Sequence, residues 1–349
     1  MSERTAEEEA RAAGLAYVAD DCPGIRRRRC GRGFTYLLPD GETLRDDDVR
    51  ERIDGLAIPP AWTEVWICRD PAGHLQATGR DEEGRKQYLY HPSWVEIRHT
   101  AKFRRVQALG ERLPTVRRCV GRHLAGAGLD RSRVLAAVVR LLDRTGLRIG
   151  TPEYAARNGT HGVTTLRRKH ARVRGSRVTL EFRGKAGSDV RVALDDPALA
   201  PVLKEALETP GWRVFKFIDE SGERTEVGPE LVNSYISTVA DGPFTAKDFR
   251  TWFATVSVLE ELRETAGDEE TDWTRAWLDA VDAVAEALGN TRAVVRESYL
   301  PPGLEELVME GGLPPRLEEL ASRIDALSAP GRRRGEAAAL AVVESLLGD

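Results

Sequence analysis

The sequence predicts an α+β chain. A small β-rich N-terminal domain covers residues 21–98, and a larger, mainly α-helical domain with a small three-stranded sheet covers residues 99–349. Three observations lead there. Between Phe34 and Tyr90, short runs of strand-forming residues are separated by turn signals. From His99 onward the apolar spacing becomes helical. Between Val178 and Leu194 it returns to a period of two. A length of 349 residues suits two domains, and 41% hydrophobic residues suffice for a sizeable core.

Residues 1–20 are polar and read as a frayed or helical end. Strands are expected at Phe34–Leu38, Val65–Cys68, His74–Thr78 and Tyr88–Tyr90, with Asp40-Gly41 and Pro71-Ala72-Gly73 as turns. Ile58-Pro59-Pro60 breaks any helix, and this sheet ends near Trp94. Beyond His99, the segment Arg133–Thr145 places Val134, Leu135, Val138, Leu141 and Leu142 on one stripe, ended by Gly146. Thr151-Pro152-Glu153 starts a further helix that Asn158-Gly159 stops. Three strands follow: Val163–Leu166, then the alternations of Val178, Leu180 and Phe182 and of Val190, Val192 and Leu194. Gly184-Lys185-Ala186-Gly187 links the last two as a mobile tip. Thr245-Ala246-Lys247-Asp248 is a variant capping box that puts Arg250 in the first turn of its helix. Glu260–Asp272 reads as a helix end and loop. One more helix leads into Gly289-Asn290, and Pro301-Pro302 closes the segment that holds Tyr299. The tail beyond is helical, with Gly331-Arg332-Arg333-Arg334-Gly335 as an exposed basic turn.

The net charge is 52 − 56 = −4, which by itself argues against a polyanionic partner. The distribution reverses this. From Arg80 to Arg191 there are 26 Lys+Arg against 10 Asp+Glu, so the rest of the chain carries −20. A basic middle in an acidic frame fits a face presented to a polyanion; solvated helix faces are the plainer alternative. No apolar run is long enough to cross a bilayer, and the acidic N-terminus lacks the core of a signal peptide, so a cytoplasmic location is expected. Cys22, Cys30, Cys68 and Cys119 form no C-x-x-C pair, so reduced, mostly structural thiols are expected and no metal or other cofactor.

Against 45 arginines there are only 7 lysines, and a lysine can release a proton near neutral pH where an arginine cannot. Tyr299 closes the run Gly289–Tyr299; Arg148 lies in Leu147-Arg148-Ile149-Gly150, Lys185 in Phe182-Arg183-Gly184-Lys185 and Arg250 in Lys247-Asp248-Phe249-Arg250. These four form a set for attack on a phosphodiester. A phenol, given cationic neighbours, is a nucleophile. Guanidinium forks match phosphate oxygens and gain most where charge builds up in the transition state. A lysine with a lowered pKa can protonate a leaving oxygen. Asn290 can donate to a phosphate oxygen or simply finish a helix beside Gly289. Taken singly, each has a blander reading: a wet helix tyrosine, a salt-bridged arginine, a turn lysine. In the first domain, Arg85 and Lys86 can grip phosphates and Gln87 can read a base edge, or the segment Gly84–Tyr90 is only a half-exposed charged strand.

In order along the chain, Ile58–Trp62, Gln76–Asp81, Gly84–Tyr90, Arg148–Gly150, Gly162–Leu166, Gly184-Lys185, Lys247–Trp252 and Gly289–Tyr299 closely resemble the bacterial, poxvirus-like type IB DNA topoisomerases, from about Gly24 to Pro302. The resemblance implies a clamp around duplex DNA, the type IB topoisomerase/tyrosine recombinase kind of catalytic domain, and a monomer working at the nucleoid. It places the nucleophile on Tyr299, the phosphate-binding arginines on Arg148 and Arg250, the general acid on Lys185 and a further donor on Asn290, where some relatives have histidine. Lys247 falls on a basic position beside the scissile phosphate, and Gln87, Tyr88 and Tyr90 fall on DNA-contacting positions. Two residues depart from the pattern: Arg292 replaces a common proline and Glu297 a usual basic residue.

The activity this implies is relaxation of supercoiled duplex DNA through a 3′-phosphotyrosyl intermediate, with neither ATP nor a required metal. A tyrosine recombinase shares the chemistry, but its N-terminal domain is usually helical. A DNA-binding protein without catalysis would need none of the five catalytic-type residues.

Overall fold

The computed structural model describes residues 6–219, 221–265 and 271–348. The chain divides into two compact units, one ending at Ala101 and the other beginning at Lys102. The architecture is α+β: a β-rich first unit and a mainly helical second unit with a three-stranded sheet.

In the first unit a short helix α1 (Ala6–Ala12) is followed by β1 (Ile25–Cys30), β2 (Gly33–Leu37), α2 (Asp47–Gly55), β3 (Thr63–Ile67), β4 (Leu75–Arg80) and β5 (Lys86–Tyr90). The five strands form one sheet in the order β2-β1-β3-β4-β5, and every pairing is antiparallel. Ile25, Ile53, Val65, Ile67 and Ala77 make its core. The sequence reading finds four of the strands but not β1, which reads Ile-Arg-Arg-Arg-Arg-Cys and shows no alternation of polarity. Its Arg27 is consumed locally. The guanidinium donates to the carbonyls of Ile58, Pro59 and Trp62 at 3.1, 2.9 and 2.7 Å and lies over the Phe34 ring. Helix α2 also goes unassigned from sequence, although Asp46 caps it by accepting from the Val49 N–H.

The second unit contains most of helix α3 (Pro92–Leu124), which begins about two turns before His99 because Pro92 opens it and His91 Nδ1 accepts from the Ser93 N–H. Helix α4 (Arg131–Thr145) is capped by Asp130 and stops at Gly146, whose φ of 60° is left-handed. It is buried nearly all round, so it is the central helix of the unit, with more than the single apolar stripe visible in its sequence. Helix α5 (Pro152–Asn158) follows and ends at Gly159.

Val163–Leu166 is not a strand. Val163–Thr165 forms a tight 3-10 turn. The Thr164 hydroxyl donates to the Ile149 and Gly150 carbonyls, each at 3.0 Å, and Thr165 Oγ1 bonds to both the N–H and C=O of Gly162. These side-chain bonds to backbone override the β-propensity of valine and threonine. The three-stranded sheet is instead β6 (Ala171–Arg174), β7 (Arg177–Arg183) and β8 (Asp189–Asp195), antiparallel in sequence order.

Next come α6 (Leu199–Glu208), the hairpin β9 (Lys216–Ile218) and β10 (Arg224–Glu226), α7 (Pro229–Ala240), α8 (Ala246–Thr265), α9 (Trp273–Leu288) and α10 (Arg292–Tyr299). The Asp248 carboxylate closes the start of α8 by accepting from both the N–H and the hydroxyl of Thr245. Arg250 is the fifth residue of α8, so it stands at the start of the second turn, not in the first. Of the acidic stretch Glu260–Asp272, the first part continues α8 to Thr265, and residues 266–270 lie outside the described residues.

Four tail helices close the chain: α11 (Leu304–Met309), α12 (Leu313–Glu319), α13 (Ala321–Leu327) and α14 (Glu336–Leu347). The Arg332–Arg334 turn before α14 is only partly exposed. Arg332 donates to the Gly110 carbonyl at 2.8 Å, and Arg333 pairs with Asp143. Arg117 of α3 bonds Asp143 of α4 at 2.8 Å and Glu336 of α14 at 2.6 Å, all three almost fully buried. The tail is thus docked on α3 and α4 by a buried charge network. Replacing Arg117 with methionine leaves Asp143 and Glu336 facing each other without their main cation. We expect it to lower stability by about 3–5 kcal/mol in chemical denaturation. A loss under about 1 kcal/mol would mean the network is solvated and of little weight.

Candidate active site

The second unit contains a pocket of about 290 Å³ lined by Arg148, Lys185, Lys247, Arg250 and Tyr299, among others. Residues spread over more than 150 positions of sequence therefore meet in one place, and the backbone shows why. Gly150 has a φ of +82° and its backbone lies against Gly162; a Cβ on Gly162 would come within 2.5 Å of the Arg148 carbonyl and the Gly150 nitrogen. This close approach, locked by the two threonine hydroxyls, holds the Arg148 turn. Lys185 sits on the tight turn between β7 and β8, where Gly184 N–H donates to the Ser188 carbonyl at 2.7 Å and Ala186 takes a left-handed φ of 60°.

Arg250 is buried and fully oriented. Its Nε donates to Tyr299 Oη at 3.1 Å, Nη1 to the Gly146 carbonyl at 2.6 Å and Nη2 to the Leu288 carbonyl at 2.7 Å. Those carbonyls belong to the C-terminal ends of α4 and α9, where a helix leaves acceptors without intrahelical donors and its dipole favours a cation. Arg148 reaches the same Leu288 carbonyl at 3.5 Å and donates to Asn290 Oδ1. Asn290 does both things its sequence allows. Its N–H closes α9 by donating to the Ala285 carbonyl at 2.9 Å, beside left-handed Gly289, and its side chain faces the pocket cations. Asn290 Nδ2 is buried and makes no well-formed hydrogen bond, although the amide lies close enough to Tyr299 to act on its phenol.

Neither Arg148 nor Arg250 forms an ion pair among the described residues. Burial lowers the pKa of both; for Arg250 the repulsion from Arg148 adds to it, bringing it to about 10. Burial would raise the pKa of Tyr299, but Arg250, then Arg148 and Asn290, outweigh it, and the phenol sits below the usual tyrosine value. The pocket is cationic, with no acidic side chain in its lining and the Tyr299 phenol on its wall.

Lys185 and Lys247 line the pocket with exposed side chains. Arg292, the first residue of α10, stands at the position where a proline suits a helix best, and it pairs with Asp282 on α9. Glu297 is exposed and does not line the pocket.

In the first unit, Arg85 and Gln87 both donate to Asp81 at 2.7 Å, and Lys86 pairs with Asp20 at 2.6 Å. Tyr88 and Tyr90 are exposed and stacked, with ring centroids 6.0 Å apart. The polar side chains of this strand are thus held by neighbouring acids, and the two phenols present their faces to solvent.

Thr151, Tyr154, Thr160 and His161 also line the pocket, and none of them stands in a motif that marks it from sequence. Tyr154 is a large, half-exposed aromatic two residues into α5. His161 donates from Nδ1 to the Thr165 carbonyl at 2.9 Å, and its backbone N–H donates to Arg183 on the strand leading to Lys185. Only the position of these residues beside Arg148 and Gly162 could have pointed to them. All four cysteines are free, two of them exposed, so only Cys68 and the partly covered Cys119 fit a structural role. Among the described residues no cluster of three or more His, Cys, Asp or Glu is placed to hold a metal, and no helix is long and apolar enough to cross a membrane.

Residues 92–307 match the model of the eukaryotic DNA topoisomerase I catalytic core, and residues 33–81 match the bacterial DNA topoisomerase IB N-terminal domain. The DNA topoisomerase 1B of Acanthamoeba polyphaga mimivirus is 31% identical over 286 residues, 79% of this chain and 85% of that protein. The DNA topoisomerase 1B of vaccinia virus (strain Copenhagen) is 23% identical over 40% of this chain and 46% of its own length. A XerH site-specific recombinase structure covers 70% of this chain and 58% of its own at 16% identity and a TM-score of 0.34, too low to bear on the fold. With a catalytic-core match across most of the second unit and a viral relative alike over most of both chains, this chain belongs to the type IB DNA topoisomerase family and is a DNA topoisomerase.

Proposed function

We propose that the chain relaxes supercoiled duplex DNA by transient cleavage of one strand. The observation that carries this reading is the convergence of Arg148, Arg250 and Asn290 on Tyr299 in a pocket with no acidic side chain in its lining. Tyr299 Oη attacks a backbone phosphorus. The new bond is Tyr–O–P; the bond that breaks is P–O5′; the phenol proton leaves to solvent, and Lys185 gives a proton to the departing 5′-oxygen. Arg148, Arg250 and the Nδ2–H of Asn290 bind the non-bridging oxygens, where negative charge grows. One phosphoester replaces another of similar energy, so the 5′-hydroxyl reverses the step after the helix has rotated, and no ATP is consumed. The two guanidiniums supply charge that a metal supplies at other phosphoryl-transfer sites. The likeness to viral DNA topoisomerases 1B supports duplex DNA as the partner, and we extend it to Lys247, Arg85, Lys86, Gln87, Tyr88 and Tyr90 as DNA contacts. In that role Arg85, Lys86 and Gln87 exchange Asp81 and Asp20 for phosphate or base-edge acceptors. We take the chain to act as a monomer in the cytoplasm.

The decisive experiment is plasmid relaxation in EDTA without ATP, with capture of DNA-linked protein on denaturing gels. We expect relaxation by the native chain, no adduct from Tyr299→Phe, and losses of about 10²–10³-fold in Arg148→Ala and Arg250→Ala. An adduct in Tyr299→Phe ends the assignment of the nucleophile. For Lys185→Ala, cleavage should recover on DNA with sulfur in place of the scissile 5′-oxygen, because a thiolate departs without protonation; equal loss on both substrates would remove the general-acid role.

The phenol makes a separate test. In the native protein Tyr299 should titrate below about 10. In Arg250→Gln, burial is left with less opposition and the pKa should move up. Carbon-13 NMR of labelled tyrosine rings reads both values, and an unchanged pKa would show that Arg250 does not set the ionisation.

A further inference from the structure

Among the seven lysines, one that the sequence reading passes over lies against the nucleophile. Lys102 stands on α3, near the start of the second unit, with a half-buried side chain. Its ammonium donates to the carbonyl oxygen of Ser298, in the last turn of α10 and next to Tyr299 in sequence. The same nitrogen lies 4.8 Å from the ring centroid of Phe103 and 6.0 Å from that of Tyr299, the latter at the outer limit of a cation–π contact. The Ser298 carbonyl is one of those a helix leaves without an internal donor. The next one, of Tyr299, accepts from Thr255 Oγ1 of α8 at 3.1 Å. The end of α10 is thus held from α3 and α8, while Arg250 holds the phenol oxygen.

We propose that Lys102 is a positioning residue for the nucleophile: its charged ammonium clamps the last turn of α10 through Ser298 and so keeps Tyr299 Oη on Arg250. This rests on Tyr299 being the nucleophile. The charged groups facing Lys102 are Lys247 and Asp248 on α8 and Arg105 on its own helix, with the Tyr299 phenol on α10. Asp248 is already engaged by Arg105 at 2.9 Å and by Thr245, so it gives the lysine no direct bond. Burial first, then Lys247, lower the lysine to about 8 against the pull of Asp248. The sign follows: a lowered lysine keeps its charge below that value and loses it as pH rises through it, so the clamp is strong at neutral pH and weak in base.

The test is single-turnover adduct formation on short duplexes whose cleaved 5′ fragment dissociates, measured from about pH 6.5 to about pH 9.5. Lys102→Met should be slower than the native chain by about tenfold below about pH 7, the size of a lost charge-assisted bond. The gap should close above about pH 9, where the native lysine is neutral too. Equilibrium affinity for the same duplex, read in a Tyr299→Phe background, should stay within about twofold. Lys102→Arg keeps its charge throughout, so its profile should lack the native inflection near pH 8. If Lys102→Met does not fold, the native and Lys102→Arg profiles decide alone, and identical profiles overturn the proposal. So does a native-to-Met ratio that is constant with pH, or a loss of DNA affinity as large as the loss of rate. An adduct in Tyr299→Phe marks failure of the nucleophile assignment itself; with that control clean, a negative result belongs to Lys102.

Discussion

Two helix ends and one guanidinium organise this site. The last carbonyls of α4 and α9, at Gly146 and Leu288, face each other across Arg250, and each takes one of its N–H groups. A buried arginine normally needs a carboxylate. Here partial charges at two helix C-termini replace it, and they orient the fork without neutralising it. Arg148 shares the Leu288 carbonyl, so two cations stand side by side with net positive charge between them. Burial lowers the pKa of Arg250, and repulsion from Arg148 lowers it further. A phosphate bound there would relieve that repulsion, so the pocket suits an anion better than two well-paired arginines would.

The chain spends its arginines in two distinct ways. Of the 26 basic residues between Arg80 and Arg191, several turn inward and pair with acids from beyond that window: Arg105 with Asp248, Arg117 with Glu336, Arg133 with Glu205 and Arg140 with Asp196. The charge asymmetry in the sequence is therefore partly internal wiring between α3, α4 and the later helices. Arg167, Arg168 and Lys169 remain exposed and fit the external role. Counting charges along the chain cannot separate these classes, because the partner acids lie 70 to more than 200 positions away in the pairs of Arg133 and Arg117.

What could be read from the sequence follows the range of the interactions involved. Helix ends at Gly146, Gly159 and Gly289 were legible because a left-handed glycine is a local requirement. Strands β7 and β8 were legible because their alternation survives in the burial. The turn at Val163–Thr165 was not, since its geometry comes from the Thr164 hydroxyl bonding to backbone fourteen and fifteen residues upstream. Strand β1 was not, since four arginines hide which face is inward. In the site, Arg148, Lys185, Arg250, Asn290 and Tyr299 stand in recurring local motifs, and the structure places them around one pocket or in contact with its walls. Lys102 stands in an ordinary helix, ten residues after the proline that opens it, and only the folded chain brings it to Ser298.

The placement of Tyr299 at the last residue of α10 explains why so many cations surround it. A helix C-terminus carries negative potential and opposes ionisation of a phenol located there. Burial opposes it further. A tyrosine at such a position would be a poor nucleophile unless the local field were reversed. Arg250 and Arg148 reverse it at the oxygen, while Lys102 occupies the carbonyl one residue before. What α10 gains in return is rigidity. The backbone of Tyr299 ends a helix whose final carbonyls are both taken, so the phenol has its side-chain torsions left to move and little else. On the proposed reading, attack on phosphorus needs the oxygen held in line with the leaving group, and a helix end tied at three points supplies that constraint.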